Sequence, residues 1–231
     1  MLTARMGSGD LALDWTGQRI RGQLVGGNAP FLEQIWPADP VAQKQAASVN
    51  RQLRRDTVER GRRVFRSNGE YMPPFALYDQ SGQLFTNEQL KGKYTVFNFI
   101  FTRCQDALMC PAATTRMVRL QNELAEAGLD ERVQQVTFTF DPDYDTPGIL
   151  RAYGDARGID PQRFRLLTGN PQAIRDLCAQ FGIRVKAVNS TLDHTMSTVL
   201  LDPNGKIRFR KTGSRWRSAE FVEFIQAMES S

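Results

Sequence analysis

Histidine is almost absent from this chain of 231 residues: His194 is the only one. Cysteine is scarce as well, and three are too few for a disulfide framework, so any pairing would serve chemistry rather than scaffolding. No apolar run approaches the roughly twenty residues that cross a bilayer, which leaves no candidate transmembrane helix. The opening stretch, MLTARMGSGDLALDW, lacks the basic-then-apolar layout of a secretory signal, so any export signal would lie outside this sequence. There is no internal repeat and no low-complexity segment. Aromatic rings are not interleaved where the positive charge gathers; Phe65, near its end, is the one ring there. Between Arg51 and Arg66 seven arginines stand against Asp56 and Glu59, which accounts for the whole net charge of +5. Without interleaved rings to stack on bases this run does not read as a nucleic-acid surface. It reads as a solvated face, or as a docking surface for an acidic partner or an anionic membrane.

What is present is a core. Fourteen Phe within a hydrophobic content of 41% suffice for one good-sized domain, or one domain with an appendage. The chain is organised around residues 94–124. Val96, Phe97, Phe99, Ile100 and Phe101 form an apolar run unbroken by Gly or Pro, the signature of a strand buried on both faces. Cys104 opens a short loop, QDALM, that closes at Cys110. Pro111 fits the first position of a helix, and Met117, Leu120 and Leu124 continue it as an apolar stripe. Two thiols therefore sit between the end of a central strand and the start of a helix, where α/β folds place their chemistry. A helix N-terminus there is expected to stabilise thiolate.

Taken in order, residues 1–37 carry a hairpin signal: Arg19–Val25, a turn at Gly26-Gly27-Asn28, and a return strand over Phe31–Trp36. Such a pair is marginal alone and must pack on something. Asp39-Pro40 starts a polar helix expected to run to about Arg66, with a thin apolar stripe of Val41, Leu53, Val58 and Phe65; residues 38–70 read as a basic helical linker. The compact part covers 71–231. Short strands at Phe75–Tyr78 and Gln83–Thr86 precede the central strand, and Arg132–Phe140 alternates like another. Asp145/Thr146-Pro147 caps a helix, Phe164–Leu167 is a short strand, and Asn170-Pro171 starts a helix that buries Ile174, Leu177, Cys178 and Phe181 and stops at Gly182. Strands over Ile183–Val188, Met196–Leu201 and Lys206–Arg210 follow, and Ser218 opens a last helix burying Phe221, Phe224, Ile225 and Met228. Strands alternating with helices and closing on a hairpin and a helix describe an α/β, thioredoxin-like domain with an N-terminal hairpin and a basic helix appended.

Two thiols so placed can form a disulfide, bind a soft metal or attack a substrate. With one imidazole they make three soft-to-borderline donors, a set that suits copper. Only His194 can supply that imidazole, and it lies just before an apolar strand that a thioredoxin-like sheet would bring to face the thiol loop. Cys178, on a helix stripe, reads as a core residue. Met109 beside Cys110 reads as loop packing, with approach to a soft metal as its other use. A peroxide-reducing thiol enzyme would need an activating pocket, for which Thr102 and Arg103 are the only hints.

At this point the residues match a family. TRC…CP on the strand–helix turn, then FDPDYDTPGILRAYG, FRLLTGNPQAI and LDHTMSTVLLDPNGKI resemble the Sco/SenC copper proteins in content and order, over roughly Phe75–Ala227. The resemblance implies copper, as Cu(I), Cu(II) or both, held by Cys104, Cys110 and His194. It implies a metallochaperone for the CuA centre of cytochrome c oxidase or another copper acceptor, served by a thiol reductant. It also implies a periplasmic or membrane-anchored protein, through an anchor not in this sequence. The departure is the spacing: C-x5-C-P here, where the family usually has C-x3-C-P. The alternative is a metal-independent thiol–disulfide oxidoreductase in which Cys104 and Cys110 are the redox pair and His194 is not needed. The first residues are similar to the tail end of a CusF-like copper-binding barrel without its metal-binding part.

Overall fold

Alternating side chains and a glycine turn pair β2 (Ile20–Val25) with β3 (Phe31–Pro37) antiparallel, as the sequence predicts, and a dipeptide strand, β1 (Arg5–Met6), adds a parallel edge to β3. The computed structural model describes residues 4–27, 30–61, 65–188 and 191–230; Asn28, Arg62, Arg63, Asn189 and Ser190 lie outside them. This small sheet is tied to the larger part through Asp10, which is buried. The Thr146 hydroxyl donates to its Oδ1 at 3.1 Å, and the Ile35 N–H reaches Oδ2 at 3.4 Å. Burial raises the Asp10 carboxyl above its ordinary pKa, although those hydrogen bonds pull it back. Gln34, at a left-handed φ of 51°, donates from its side-chain amide to the Asp143 carbonyl at 2.8 Å.

Helix α1 (Pro40–Arg60) starts where expected, with the Asp39 carboxylate accepting from the Ala42 N–H at 2.8 Å. It stops earlier than expected, at Gly61, whose φ of 86° a helix does not tolerate; Phe65 and Arg66 are not helical. Of the predicted stripe only Leu53 is buried, while Val41, Val58 and Phe65 are exposed. Polar contacts do the docking that an apolar stripe would have done. Asn50 bonds the backbone of Ala76 on both sides, at 2.8 and 3.0 Å, and Arg54 pairs with Asp176 at 2.8 Å. The buried Arg66 reaches Asp56, Gln180 and the Tyr71 carbonyl. The arginine run is therefore only partly a solvated face: Arg51 and Arg55 are exposed, Arg54, Arg60 and Arg66 are paired.

The rest follows as β4 (Ala76–Asp79), β5 (Leu84–Thr86), β6 (Tyr94–Ile100), α2 (Cys110–Glu126), β7 (Val133–Thr139), α3 (Pro147–Asp155), β8 (Phe164–Thr168), α4 (Pro171–Phe181), β9 (Val185–Val188), β10 (Thr191–His194), β11 (Ser197–Leu201), β12 (Ile207–Thr212) and α5 (Ser218–Glu229). Among the described residues seven strands form the central sheet in the order β12-β11-β6-β7-β8-β4-β5. Its middle, β6-β7-β8, is parallel, and both edges are antiparallel. β6 is central, so Val96, Phe97, Phe99 and Ile100 are covered on both faces, and Phe97 packs edge-on against Phe181 of α4 at 4.9 Å. Helices flank the sheet, with α2 against α5 and α1 against α4. The α/β, thioredoxin-like architecture is the one the sequence predicts.

One element is new. The stretch after α4 does not pass directly into the central sheet: β9 turns back on β10 as a separate antiparallel hairpin, with His194 opposite Val185. The predicted strand over Ile183–Val188 is one arm of that hairpin, and the His194 segment is the other.

Candidate metal centre

The C-terminal end of β6 runs straight into the thiol loop, which is exposed from Gln105 to Leu108 and anchored at both ends. Asp106 turns it, accepting from the Leu108 N–H at 2.9 Å, and Ser214 donates to the Leu108 carbonyl at 2.6 Å, holding the loop against the β12–α5 connection. Cys104 is half-buried; Cys110, the first residue of α2, is fully buried. His194, at the end of β10, is 6% exposed, and its Nε2 lies 3.3 Å from the Cys110 sulfur. The ring is flanked by Phe101 and Phe140, at centroid separations of 5.7 and 4.6 Å, and its Nδ1 lies 3.2 Å from the Thr195 carbonyl. The two sulfurs and an imidazole nitrogen all lie within 4.8 Å of one another. All three sequence-predicted residues are thus brought together, and the two-residue longer loop does not keep them apart.

Two soft thiol sulfurs and a borderline imidazole, in a pocket closed by rings, match a thiophilic ion better than a hard one. The expected stabilisation of thiolate does not extend to Cys110. Burial pushes its thiol well above the ordinary range, a backbone hydrogen bond at Phe101 offsets only part of that, and nearby Cys104 raises it further. A helix N-terminus favours an anion only where water or other donors help solvate it.

Thr195 holds the histidine arm in place. Its hydroxyl donates to the Gly182 carbonyl at 3.0 Å and accepts from the Arg184 N–H at 2.9 Å, while its own N–H donates to the Arg184 carbonyl at 3.1 Å. Asp145 was expected to help cap α3, but Thr146 is the cap, accepting from the Ile149 N–H at 3.3 Å. Asp145 instead lies fully buried under the loop. Its carboxylate accepts from the hydroxyls of Thr102 and Thr139 and from the Thr102 N–H, joining the ends of β6 and β7 just before Cys104. Burial raises its pKa to about 6 despite those bonds. The only sequence signal for this role is the acidic run DPDYD, which names no partner. Thr102 is thereby engaged, and Arg103 pairs with Asp141 at 2.6 Å and lies over the Tyr144 ring at 4.4 Å. Cys178 is buried away from the other two, its thiol pushed up to about 12 by burial.

A thioredoxin-like sheet with two thiols after the central strand and a histidine facing them defines a class of thiol- and metal-handling domains. The SCO1/SenC family model matches residues 65–228, and the chain belongs to that family. It is 33% identical over 140 residues to an SCO2-like protein of Rickettsia prowazekii, a match covering 58% of this chain and 65%, just under two thirds, of that protein. Among solved structures it resembles an SCO1/SenC family lipoprotein of Bacillus anthracis, at 30% identity and a TM-score of 0.63 over 71% of this chain and 98% of that one. It also resembles Bradyrhizobium japonicum ScoI with copper bound, at 26% identity and a TM-score of 0.56 over 68% and 99% of the two chains.

Proposed function

We propose that this chain binds one copper ion through Cys104, Cys110 and His194 and passes it to an acceptor protein, acting as a metallochaperone rather than as an enzyme with turnover. The observation that carries the reading is the convergence of the three donor atoms within 4.8 Å at the end of the central strand. Membership of the SCO1/SenC family and the likeness to a copper-bound ScoI support it. The acceptor is a cytochrome c oxidase subunit at its CuA centre, or another copper protein, and a thiol reductant keeps the two cysteines open to metal. The protein works at the periplasmic face, held to the membrane by an anchor outside the described residues; the likeness to a lipoprotein supports this. No helix among the described residues is long and apolar enough to cross a membrane. Residues 71–231 form the copper-handling domain, 38–70 its basic connection, and 1–37 a β-segment without copper ligands.

A second reading has its own observation. The same two cysteines are free and close, so a disulfide between them can form, and the chain could reduce partner cysteines without metal. In that case the half-exposed Cys104 attacks and His194 is dispensable. Anaerobic Cu(I) titration of reduced protein separates the two. The copper reading expects one equivalent, weakened by His194→Ala and lost with Cys104→Ser/Cys110→Ser. Unchanged stoichiometry and spectrum in the double cysteine variant would overturn it.

A further inference from the structure

Resting on the copper reading, we propose that Met109 and Met196 form a thioether step through which Cu(I) enters and leaves the Cys104–Cys110–His194 site. The site is closed on one side. Phe101 and Phe140 cover the imidazole, and Cys110 has no exposed surface. On the other side it opens into a cleft of about 710 Å³ lined by His194, Met109 and Met196. Two of the chain's seven methionines line it, one immediately before Cys110 and the other two residues after His194. Met196 is itself mostly buried, as Met72 is, and Met117 is fully buried on α2, but neither Met72 nor Met117 lines the cleft.

The chemistry suits a step rather than a resting place. A thioether is a soft donor that prefers Cu(I), but it is neutral and weaker than a thiolate. Copper can exchange one of its three ligands for a methionine sulfur without changing oxidation state. No proton is released, because a thioether carries none, and the displaced donor stays on the protein. The same cleft is lined by Arg184, Arg210 and Arg215 and, among the described residues, by no acidic one. Arg210 is fixed there by the carbonyls of Arg66 and Phe181, at 2.8 and 3.4 Å. A cationic rim disfavours an unescorted metal ion and favours a partner, or a chelator, that brings negative charge with its copper ligands. Copper therefore crosses the methionines when such a partner covers the cleft.

Leucine fills nearly the volume of methionine but cannot bind metal, so Met109→Leu/Met196→Leu tests the donor sulfur and not the packing. Loaded with one Cu(I), the double variant should keep its equilibrium affinity within about twofold. It should give copper up to excess bicinchoninate, an anionic Cu(I) chelator, about tenfold more slowly than the unmodified chain, a change of one decade in rate. Transfer at the unmodified rate would overturn the proposal. A second measurement does not depend on the variant. With methyl-¹³C methionine in the unmodified protein and Ag(I) as a redox-inert soft probe, metal beyond the first equivalent should shift the methyls of Met109 and Met196 and leave those of Met72 and Met117 in place. Shifts absent from the first pair would refute it. If the unmodified protein retains no Cu(I) after desalting, the parent reading fails; if it retains Cu(I) and only the kinetic difference is missing, the thioether step alone fails.

Discussion

Asp145 is a fully buried carboxyl that binds its proton more tightly in the folded protein than in the unfolded chain, with a pKa moved from 3.8 to about 6 chiefly by burial. Between those two values the folded state holds more protons than the unfolded one. The contribution of this group to stability therefore falls as pH rises through that window, and it is flat above about 6. At about 1.4 kcal/mol per pH unit the cost of keeping the carboxylate ionised comes to about 3 kcal/mol at neutral pH. Asparagine never ionises and keeps one acceptor oxygen, which can serve the Thr139 hydroxyl and the Thr102 N–H, while its amide nitrogen would face the Thr102 hydroxyl. Against that it loses the charge-assisted part of three hydrogen bonds, and each buried donor left badly paired costs about 1–3 kcal/mol. The absolute effect of Asp145→Asn is a contest between these, but its pH dependence is not. Measured by urea denaturation at pH 4 and pH 8, the variant should gain about 2 kcal/mol relative to the unmodified protein between the two conditions, because part of the window lies below pH 4. Comparing the two proteins at each pH cancels the other carboxylates. Parallel stability profiles across that range would refute the assignment of a raised pKa to this group, and with it the view that Asp145 is held under the loop against an electrostatic penalty.

Copper and the Cys104–Cys110 disulfide should exclude one another, since a metal needs both sulfurs as thiolates; copper retention after desalting, compared for reduced and diamide-oxidised protein, checks this, and equal retention would contradict it. Cys178 should be inert, so a thiol reagent on native, reduced protein should modify the half-buried Cys104 quickly, the fully buried Cys110 more slowly and Cys178 only on unfolding. Leu53→Ala should cost about 2–5 kcal/mol, as for other fully buried leucines, and Val58→Ala on the same helix well under 1 kcal/mol; equal losses would mean that α1 docks by a different face. Reversing the exposed Arg51 and Arg55 to Glu should leave stability unchanged within about 0.5 kcal/mol, and any slowing of partner association should vanish in high salt.

The parts of the fold legible in the sequence are those whose signals are local and redundant. The apolar run of β6 leaves no alternative to a buried strand, and Thr146-Pro147 and Asn170-Pro171 each combine a cap with a residue that suits a helix start. The three candidate donors were legible because histidine and cysteine are so rare here that each had to be explained. β10 was not, because a polar four-residue arm ending in histidine carries no period and is fixed by pairing with β9. The length of α1 was misjudged because the arginine-rich sequence continues past Gly61, and the stop lies in that one glycine, whose φ of 86° is outside the helical region. Asp145 was invisible for a different reason: its partners, Thr102 just past β6 and Thr139 at the end of β7, come from separate stretches of chain, and nothing within five residues of it announces them.

The docking of Asp10 against α3 binds together two stretches that look independent along the chain. Gly148, in the first turn of α3, has no room for a methyl group: a Cβ there would sit 2.8 Å from the Asp10 Cα and 3.0 Å from the Gly9 carbonyl. Its φ is ordinary, so the glycine is demanded by a neighbour and not by the helix. The amino acids permitted at position 148 are thus dictated from more than a hundred residues upstream. A drift in the N-terminal segment would be felt first as new freedom in the first turn of α3, the helix that follows Asp145 and its bonds to Thr102 just ahead of the thiol loop.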